Sequence, residues 1–550
     1  MSGGMMANEY RWPRAPKRPA LEPKTAYLIA SGDQRESANS AGWSTQAAME
    51  AALATAFSAN GWRLTRANPV DPTTGHGFIS SQRMGLEVFK SIPVDAPLVV
   101  AEAVWQYSHH VLGGLVTHRG PVLTVGNFAP EWPGLVGLLG LNAGLTKAGR
   151  AYSSLWSIDC TDDWFLAGLR EWIETGRVEL DQSHVRNLPR LDASDEVRLG
   201  RALAEQLLAD KALIGVFDEG CMGMFNAIID DGLLNGIGIF KERLSQSALY
   251  AETLRVADGE AKQVGAWLVE RGMRFHLGTD GDTELTADQL IWQYKLYIAA
   301  LRIADDFGLD AFGIQYQQGL KDLLPASDLP EGLFNSTDRP PAMSRDGSRE
   351  LYAGMAVPHF NEADEGAAID ALVTNRVWRA MGLLPDTTLH DVRWGEEYDG
   401  QYVWTYEISG AVPASHLGGY SNAEGWRQAS VFFPAGGSTL NGVSKAGDVV
   451  LSRVFLADDC INADLFLGKV VELPTDESLR RKQITNPEWP IAHVVLEGVT
   501  RDQFMARHKA NHVQLVYAPD ESTALAALTT KAAMLDGLGI NVSLVGKVGM

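Results

Sequence analysis

A chain of 550 residues, 45% hydrophobic and 21% charged, has ordinary globular composition and is too long for one hydrophobic core, so three domains are expected. Its formal net charge of -21 argues against non-specific nucleic-acid binding, because phosphates would be repelled. No apolar run approaches the ~18 residues of a membrane span, and three scattered cysteines, Cys160, Cys221 and Cys460, offer neither a disulfide framework nor a thiolate zinc site.

Residues 1–24 are rich in Pro, Arg and Lys and lack the apolar centre of a signal peptide, so they read as a flexible or partner-clasping arm. The expected compartment is cytoplasmic, which leaves the sequons at Asn335 and Asn541 idle. A first α/β domain is expected over 25–175. Thr25–Ala30 reads as a strand, Ser31–Asn39 as a polar turn, Thr45–Ala59 as a helix, and Ala96–Ala101 and Val122–Val125 as further strands. Strand–helix alternation implies a parallel Rossmann-like sheet, whose ligands sit at the carboxyl ends of strands, where Trp105, Tyr107 and Asn127 fall.

The charged stretch Thr175–Glu196 reads as a link to a second α/β domain over 176–384. There Leu213–Phe217 reads as a strand, Lys241–Glu252 has helical periodicity, and Ala287–Phe307 should form a long helix ending before Gly308. Phe312 then opens a strand and turn. From 385 to 550 the texture becomes β-rich, with strands expected at Gln401–Ile408, Gln428–Phe433, Asp448–Leu456, Leu465–Leu473 and Asn541–Val545. One helix, Glu521–Leu535, interrupts this mainly antiparallel sheet or barrel.

No phosphate loop is present: Gly140–Lys147 has the wrong spacing, and no G-x-G-x-x-G opens a helix. Pro358-His-Phe-Asn-Glu-Ala-Asp-Glu-Gly366 precedes an apolar helical stripe. By spacing alone its acids suit helix capping first, with Asn361 as N-cap and Asp364 three residues on, and a hard divalent cation second. Asp391 stands in His390-Asp-Val-Arg-Trp394, where an Asp near an Arg also suits an ion pair. His512 stands at the start of an apolar strand, in Ala510-Asn-His-Val.

Taken in order, these segments resemble the L-fucose isomerase family. Asn361-Glu-Ala-Asp364 is similar to its Thr-Glu-Asn-Asp segment, Asp391-Val-Arg393 to its Asp-Val-Arg, and Ala510-Asn-His512 to its Ala-Asn-His. Gly313-Ile-Gln-Tyr-Gln317, Glu488-Trp-Pro490 and Trp105-Gln-Tyr107 add to the likeness. The resemblance implies a metal site of Glu362, Asp391 and His512 holding Mn²⁺, or Mg²⁺ or another divalent cation, with Glu362 and Asp391 also as the acid–base pair. It implies sugar contacts from Gln315, Gln317, Ser409, Trp489, Trp105 and Arg35. It further implies a hexamer in which the first domain reaches a neighbouring subunit's site.

The chain departs from the family where Ala435-Gly-Gly-Ser438 replaces a Gly-Gly-Gly-Tyr-Ser segment, with Gly418-Gly-Tyr-Ser421 as another source of the tyrosine, and where His493 replaces a tryptophan. The implied activity is metal-dependent aldose–ketose isomerisation of a free sugar such as L-fucose or D-arabinose through an enediol. An epimerase or lyase acting on a sugar or sugar acid, and a non-catalytic sugar-binding homologue, remain alternatives. An acid substrate would call for a cation, and Arg393 is the one beside a proposed ligand; an ion pair with Asp391 or Glu396 is its favoured role.

Overall fold

The structure, a computed structural model, describes residues 12–14, 19–220, 223–408 and 412–549; Cys221 and Ser409 lie outside the described residues. Its N-terminal part is α/β with parallel sheets, and its C-terminal part is mainly antiparallel, although Cys460–Val470 and Asn541–Val545 pair in parallel. Among the described residues no helix is long and apolar enough to cross a membrane.

The first sheet holds β1 (Thr25–Ile29), β2 (Arg63–Arg66), β3 (Leu98–Glu102), β4 (Val122–Asn127) and β5 (Ser153–Ser157). All its pairs are parallel, in the order β2-β1-β3-β4-β5. Every residue of β3 is buried, as expected for a parallel sheet covered on both faces. The order reverses between β1 and β3, so the loops after these strands part and open a crevice at the carboxyl edge. Arg35 follows β1 and Trp105 follows β3. The helix after β1 starts at Glu36, well before the expected Thr45. Its first turns bury only the small or polar Ala38, Asn39 and Gly42, which give no apolar period to read.

The stretch read as a link contains β6 (Val185–Asn187), which leaves to join the C-terminal sheet. The second sheet is formed by β7 (Ala212–Phe217), β8 (Ile239–Leu244) and, after the two-residue β9 (Arg274–Phe275), β10 (Ala311–Ile314), in the parallel order β10-β7-β8. The helix expected over Lys241–Glu252 is therefore corrected. Its first part is β8, the helix proper is Gln246–Thr253, and Ser245 caps it by accepting from the Ser247 amide. Pairing with β7 overrides the charged helical pattern, and the Lys241 ammonium is absorbed by Glu219 and Glu365. The helix Ala287–Phe307 ends as its signals demand, with a Thr286/Gln289 capping box and Gly308 left-handed at its C-terminus.

The C-terminal part contains β11 (Thr387–Tyr398), β12 (Gln401–Glu407), β13 (Glu424–Gly425, paired with β9), β14 (Gly447–Ala457), β15 (Cys460–Val470), β16 (Ile491–Leu496), β17 (His512–Ala518) and β18 (Asn541–Val545). The ring β14-β17-β11-β12-β16-β15 closes through β14–β15 and is antiparallel throughout, with β18 and β6 added beside β15. Gln428–Phe433, expected as a strand, is instead a turn: the amides of Phe432 and Phe433 both bond the Ala429 carbonyl. Phe128, Leu138 and Trp156 of the first sheet's layer share one buried cluster with Val392, Trp404 and Leu451 of the ring. The crevice of the first sheet is thereby seated against the barrel of its own chain.

Candidate active site

Two of the three expected ligands come together by strand register. Asp391 on β11 and His512 on β17 are direct cross-strand partners, so both side chains leave the same face. Glu362 arrives from the short turn Asn361–Ala363 that precedes the helix Glu365–Ala380. Glu362 and Ala363 have φ of 58° and 53°, a left-handed backbone that costs a non-glycine residue about 1–2 kcal/mol. The N-cap of the helix is Asp364, not Asn361, and its carboxylate accepts from the amides of Gly366 (3.0 Å) and Ala367 (3.2 Å).

The His512 ring stands between three carboxylates. Its Nδ1 hydrogen-bonds Asp364 Oδ2 at 2.7 Å, while Nε2 lies 3.6 Å from Glu362 Oε2 and 3.5 Å from Asp391 Oδ1. The last two separations are long for hydrogen bonds. They approach the ~3–3.5 Å edge between two ligands bonded at ~2.1 Å to one ion. Anchoring one imidazole nitrogen on a carboxylate to aim the other is a recurrent feature of metal-binding histidines. Asp364 is itself gripped by Arg453, which donates at 2.7 and 3.1 Å. Among the described residues no group of three His, Cys, Asp or Glu side chains is spaced to hold a metal ion; the two carboxylates and one imidazole of the trio are nevertheless donor types that a divalent cation takes.

The electrostatics agree with that chemistry. Burial pushes the Asp364 carboxyl up, but Arg453 and His512 outweigh it and hold the group below the ordinary carboxylate range. Burial alone would lower the His512 imidazole; Asp364, Glu362 and Asp391 instead lift it to about 10. Burial raises the Asp391 carboxyl, His512 opposes this, and Glu362 adds to it. A cation at Nε2 would take the place of the proton that these acids hold there.

Glu362 and Asp391 of the trio line a cavity of about 230 Å³, together with Asn511, Trp489, Arg35, Trp105, Glu131 and Trp132. A wider outer cavity of about 740 Å³ shares Arg35, Gln317 and Val431 with it. Arg35 is held by Asp33 (2.5 and 2.8 Å), donates to Gln317 Oε1 (2.8 Å), and stands 4.9 Å over the Phe432 ring. Trp489 donates to Gln428 Oε1 at 3.0 Å. Trp105, Arg35, Gln317 and Trp489 thus all reach the pocket. Gln315 does not line it: its amide is occupied by Gln246, the Gln318 backbone and the Gly220 carbonyl. Tyr420 does not reach it either, since its hydroxyl bonds the Asp338 carbonyl; Phe432 and Phe433 supply the aromatic wall. His493 bonds Ser478 instead.

Arg35 and Trp105 come from the same chain as the trio, where the resemblance implied a neighbour's domain. Among the lining residues that the sequence reading does not name are Asn511, Glu131–Pro133 and Phe432. Asn511 donates to Asp391 Oδ1 at 3.2 Å, and its place beside His512 was the available signal. Glu131–Pro133, the turn after β4, and Phe432 depend on packing between layers. Arg393 is turned inward by a bulge in β11, with Glu407 at 3.4 Å as its ion partner in place of Asp391 or Glu396.

Residues 409–543 match the family model described as "L-fucose isomerase, C-terminal domain". The match includes Trp489 and His512, and Glu362 and Asp391 precede it. No curated protein matches the chain.

Proposed function

Taking as premise the membership of the L-fucose isomerase family that this C-terminal match supports, we propose that the chain is a metal-dependent aldose–ketose isomerase acting on a free sugar such as L-fucose or D-arabinose. The observation that carries the proposal is the aim of His512 Nε2 at Glu362 and Asp391, with Nδ1 tied to Asp364. Glu362, Asp391 and His512 would hold Mn²⁺, or Mg²⁺ or another divalent cation. When bound, the cation supplies positive charge beside the two adjacent sugar oxygens on which negative charge develops.

The remaining chemistry belongs to the side chains. Glu362 takes the proton from the carbon next to the carbonyl, and Asp391 handles the proton of the neighbouring oxygen. Asn511 holds Asp391 in place, Asp364 holds His512, and Trp489, Trp105 and Phe432 give the sugar apolar faces to lie against. Gln317 and Arg35 border the way in from the outer cavity. The assembly we propose is a homo-hexamer in the cytoplasm. Because one chain lines its own pocket, mixing Arg35→Ala with Glu362→Gln protein should restore no activity; recovery on mixing would show that a neighbour's first sheet serves the site.

The deciding experiment strips the protein with chelator, reloads it with Mn²⁺ and supplies a panel of aldoses in D₂O. Metal-dependent ketose carrying solvent deuterium, reduced ~10²–10⁴-fold in Glu362→Gln with Mn²⁺ still bound, is the expected result. Wild-type turnover in that variant would refute the role of Glu362. Absence of ketose across the panel with Mn²⁺ bound would move the chain to an epimerase or a lyase.

A further inference from the structure

The bulge in β11 places a cation where the isomerase reading has no use for one. Val392 pairs with Tyr406 and Trp394 with Thr405, so Arg393 is an extra residue opposite β12. Bulges next to sites re-aim a side chain. Val392 and Trp394 both enter the apolar cluster shared with the first sheet, which leaves Asp391 and Arg393 to the pocket side. The Arg393 guanidinium is 1% exposed yet lines the cavity. Its Nη1 donates to the Trp132 carbonyl at 2.9 Å, its Nε stands 3.4 Å from Glu407 Oε2 without hydrogen-bonding it, and its Nη2 has no partner.

A buried charged donor without an acceptor is costly, and a ligand oxygen is the ordinary remedy. Two residues along a strand span ~7 Å, so a sugar whose two reacting oxygens lie at Asp391 extends past Arg393 with its far hydroxyls. We propose that Arg393, set by the β11 bulge and oriented by the Trp132 carbonyl, is a substrate-binding residue that donates Nη2 to a hydroxyl oxygen beyond the two reacting carbons. This rests on the isomerase reading. It makes the distal hydroxyls, as well as the carbonyl end, determinants of which sugar is accepted. It also gives the turn Glu131–Pro133 a role in specificity, since that turn holds the guanidinium.

Binding can be measured without turnover, using the alditols that correspond to L-fucose and D-arabinose, titrated calorimetrically into Mn²⁺-loaded protein. Arg393→Lys keeps a charge beside Glu407 but cannot serve both the Trp132 carbonyl and the sugar. It should weaken alditol binding ~10–100-fold and raise KM similarly, with kcat changed only a few-fold. Arg393→Ala should behave alike and recover part of its affinity when guanidinium ion is added. Equal alditol affinity in wild type and Arg393→Lys, or a loss confined to kcat, would overturn this assignment alone. Failure of the wild type to bind either alditol would overturn the sugar-site reading and this assignment with it.

Discussion

Two fully buried carboxylates of one helix, Asp364 and Asp370, meet two consecutive residues of β14, and their fates differ. Asp364 caps the helix, pairs with Arg453 and passes its remaining contact to His512 at the edge of the pocket. Asp370 lies deeper. It accepts from Ser452 Oγ at 2.8 Å and pairs with Lys531, whose ammonium also donates to Ser452 (2.6 Å) and Thr374 (2.7 Å). The chemistry is the same in kind, a carboxylate and a cation out of water. One network ends on a ring that must point somewhere; the other turns back on itself through Asp370 Oδ1, with the buried Oδ2 left without a partner and no contact leaving towards the pocket. Burial and ion pairing alone therefore do not mark a functional acid. The mark is a contact that leaves the network towards a cavity.

The largest difference should come from Asp364→Asn against Asp370→Asn. Each leaves a buried cation without its charge partner, so each should cost about 3–5 kcal/mol of stability. Only Asp364→Asn frees the His512 ring, and it should also lower Mn²⁺ affinity ~10–100-fold, with turnover falling in parallel. Asp370→Asn should retain the Mn²⁺ affinity and kcat of the wild type in its folded fraction. Calorimetric melting and Mn²⁺ titration of both variants check this, and equal loss of metal affinity would erase the distinction. Next in size is the double change Asp370→Leu with Lys531→Met, which replaces a closed ion pair by apolar groups. It should be neutral or stabilising by up to about 4 kcal/mol, with activity retained. A loss of activity there would mean that the inner network also positions the site.

Acid gives a third test. Burial holds the imidazoles of His359, at about 3, and His416, at about 4, below their ordinary 6.5, so both are neutral in the folded protein. The unfolded chain binds more protons between those values and 6.5, so stability is full above 6.5 and falls as pH drops through that window. The slope is up to ~1.4 kcal/mol per pH unit for each such residue. Asp364, held below the ordinary carboxylate range, stays charged through most of that window. Melting temperature should thus begin to fall below pH 6.5, and His416→Gln should flatten the fall. An unchanged profile in that variant would assign the acid sensitivity to other groups, the buried imidazoles of His359, His390, His493 and His508 or the paired carboxylates.

The same contrast governs what could be read beforehand. Glu362, Asp391 and His512 can be picked out as candidates because each sits in a short motif, and the structure brings the three side chains together. The helix Ala287–Phe307 was accessible because Thr286, Gln289 and Gly308 mark its ends locally. Asp364 reads from sequence as an acid of the helix's first turn or of a cation site, and it is the N-cap itself; its bond to His512 spans 148 positions of sequence. Glu131–Pro133 could not be read, since the packing of the first sheet on the barrel brings them to the pocket, and Arg393 could be named only as a neighbour of Asp391, since it is the bulge that sets it there. Lys241 misled for a related reason. Its charge suggested a solvated helix face, whereas the fold supplies Glu365 and Glu219 to receive it within a strand.

The smallest effect should come from Ser452→Ala, and it tests whether the inner network is closed. The Ser452 hydroxyl accepts from Lys531 and donates to Asp370, so it bridges the ion pair without carrying charge. Its removal leaves Lys531 with Asp370 and Thr374, and leaves Asp370 with Lys531. No charge loses its counter-ion, so the cost should be that of one hydrogen-bonding group, about 1–1.5 kcal/mol. That is roughly a third of the Asp370→Asn effect, and it should appear as a modest fall in melting temperature with Mn²⁺ affinity and kcat unchanged. A Ser452→Ala loss as large as that of Asp370→Asn would show that the hydroxyl, rather than the direct ion pair, holds Lys531. A change in kcat would show that displacement at Ser452 passes to its neighbour Arg453 and from there through Asp364 to His512, making the two networks one.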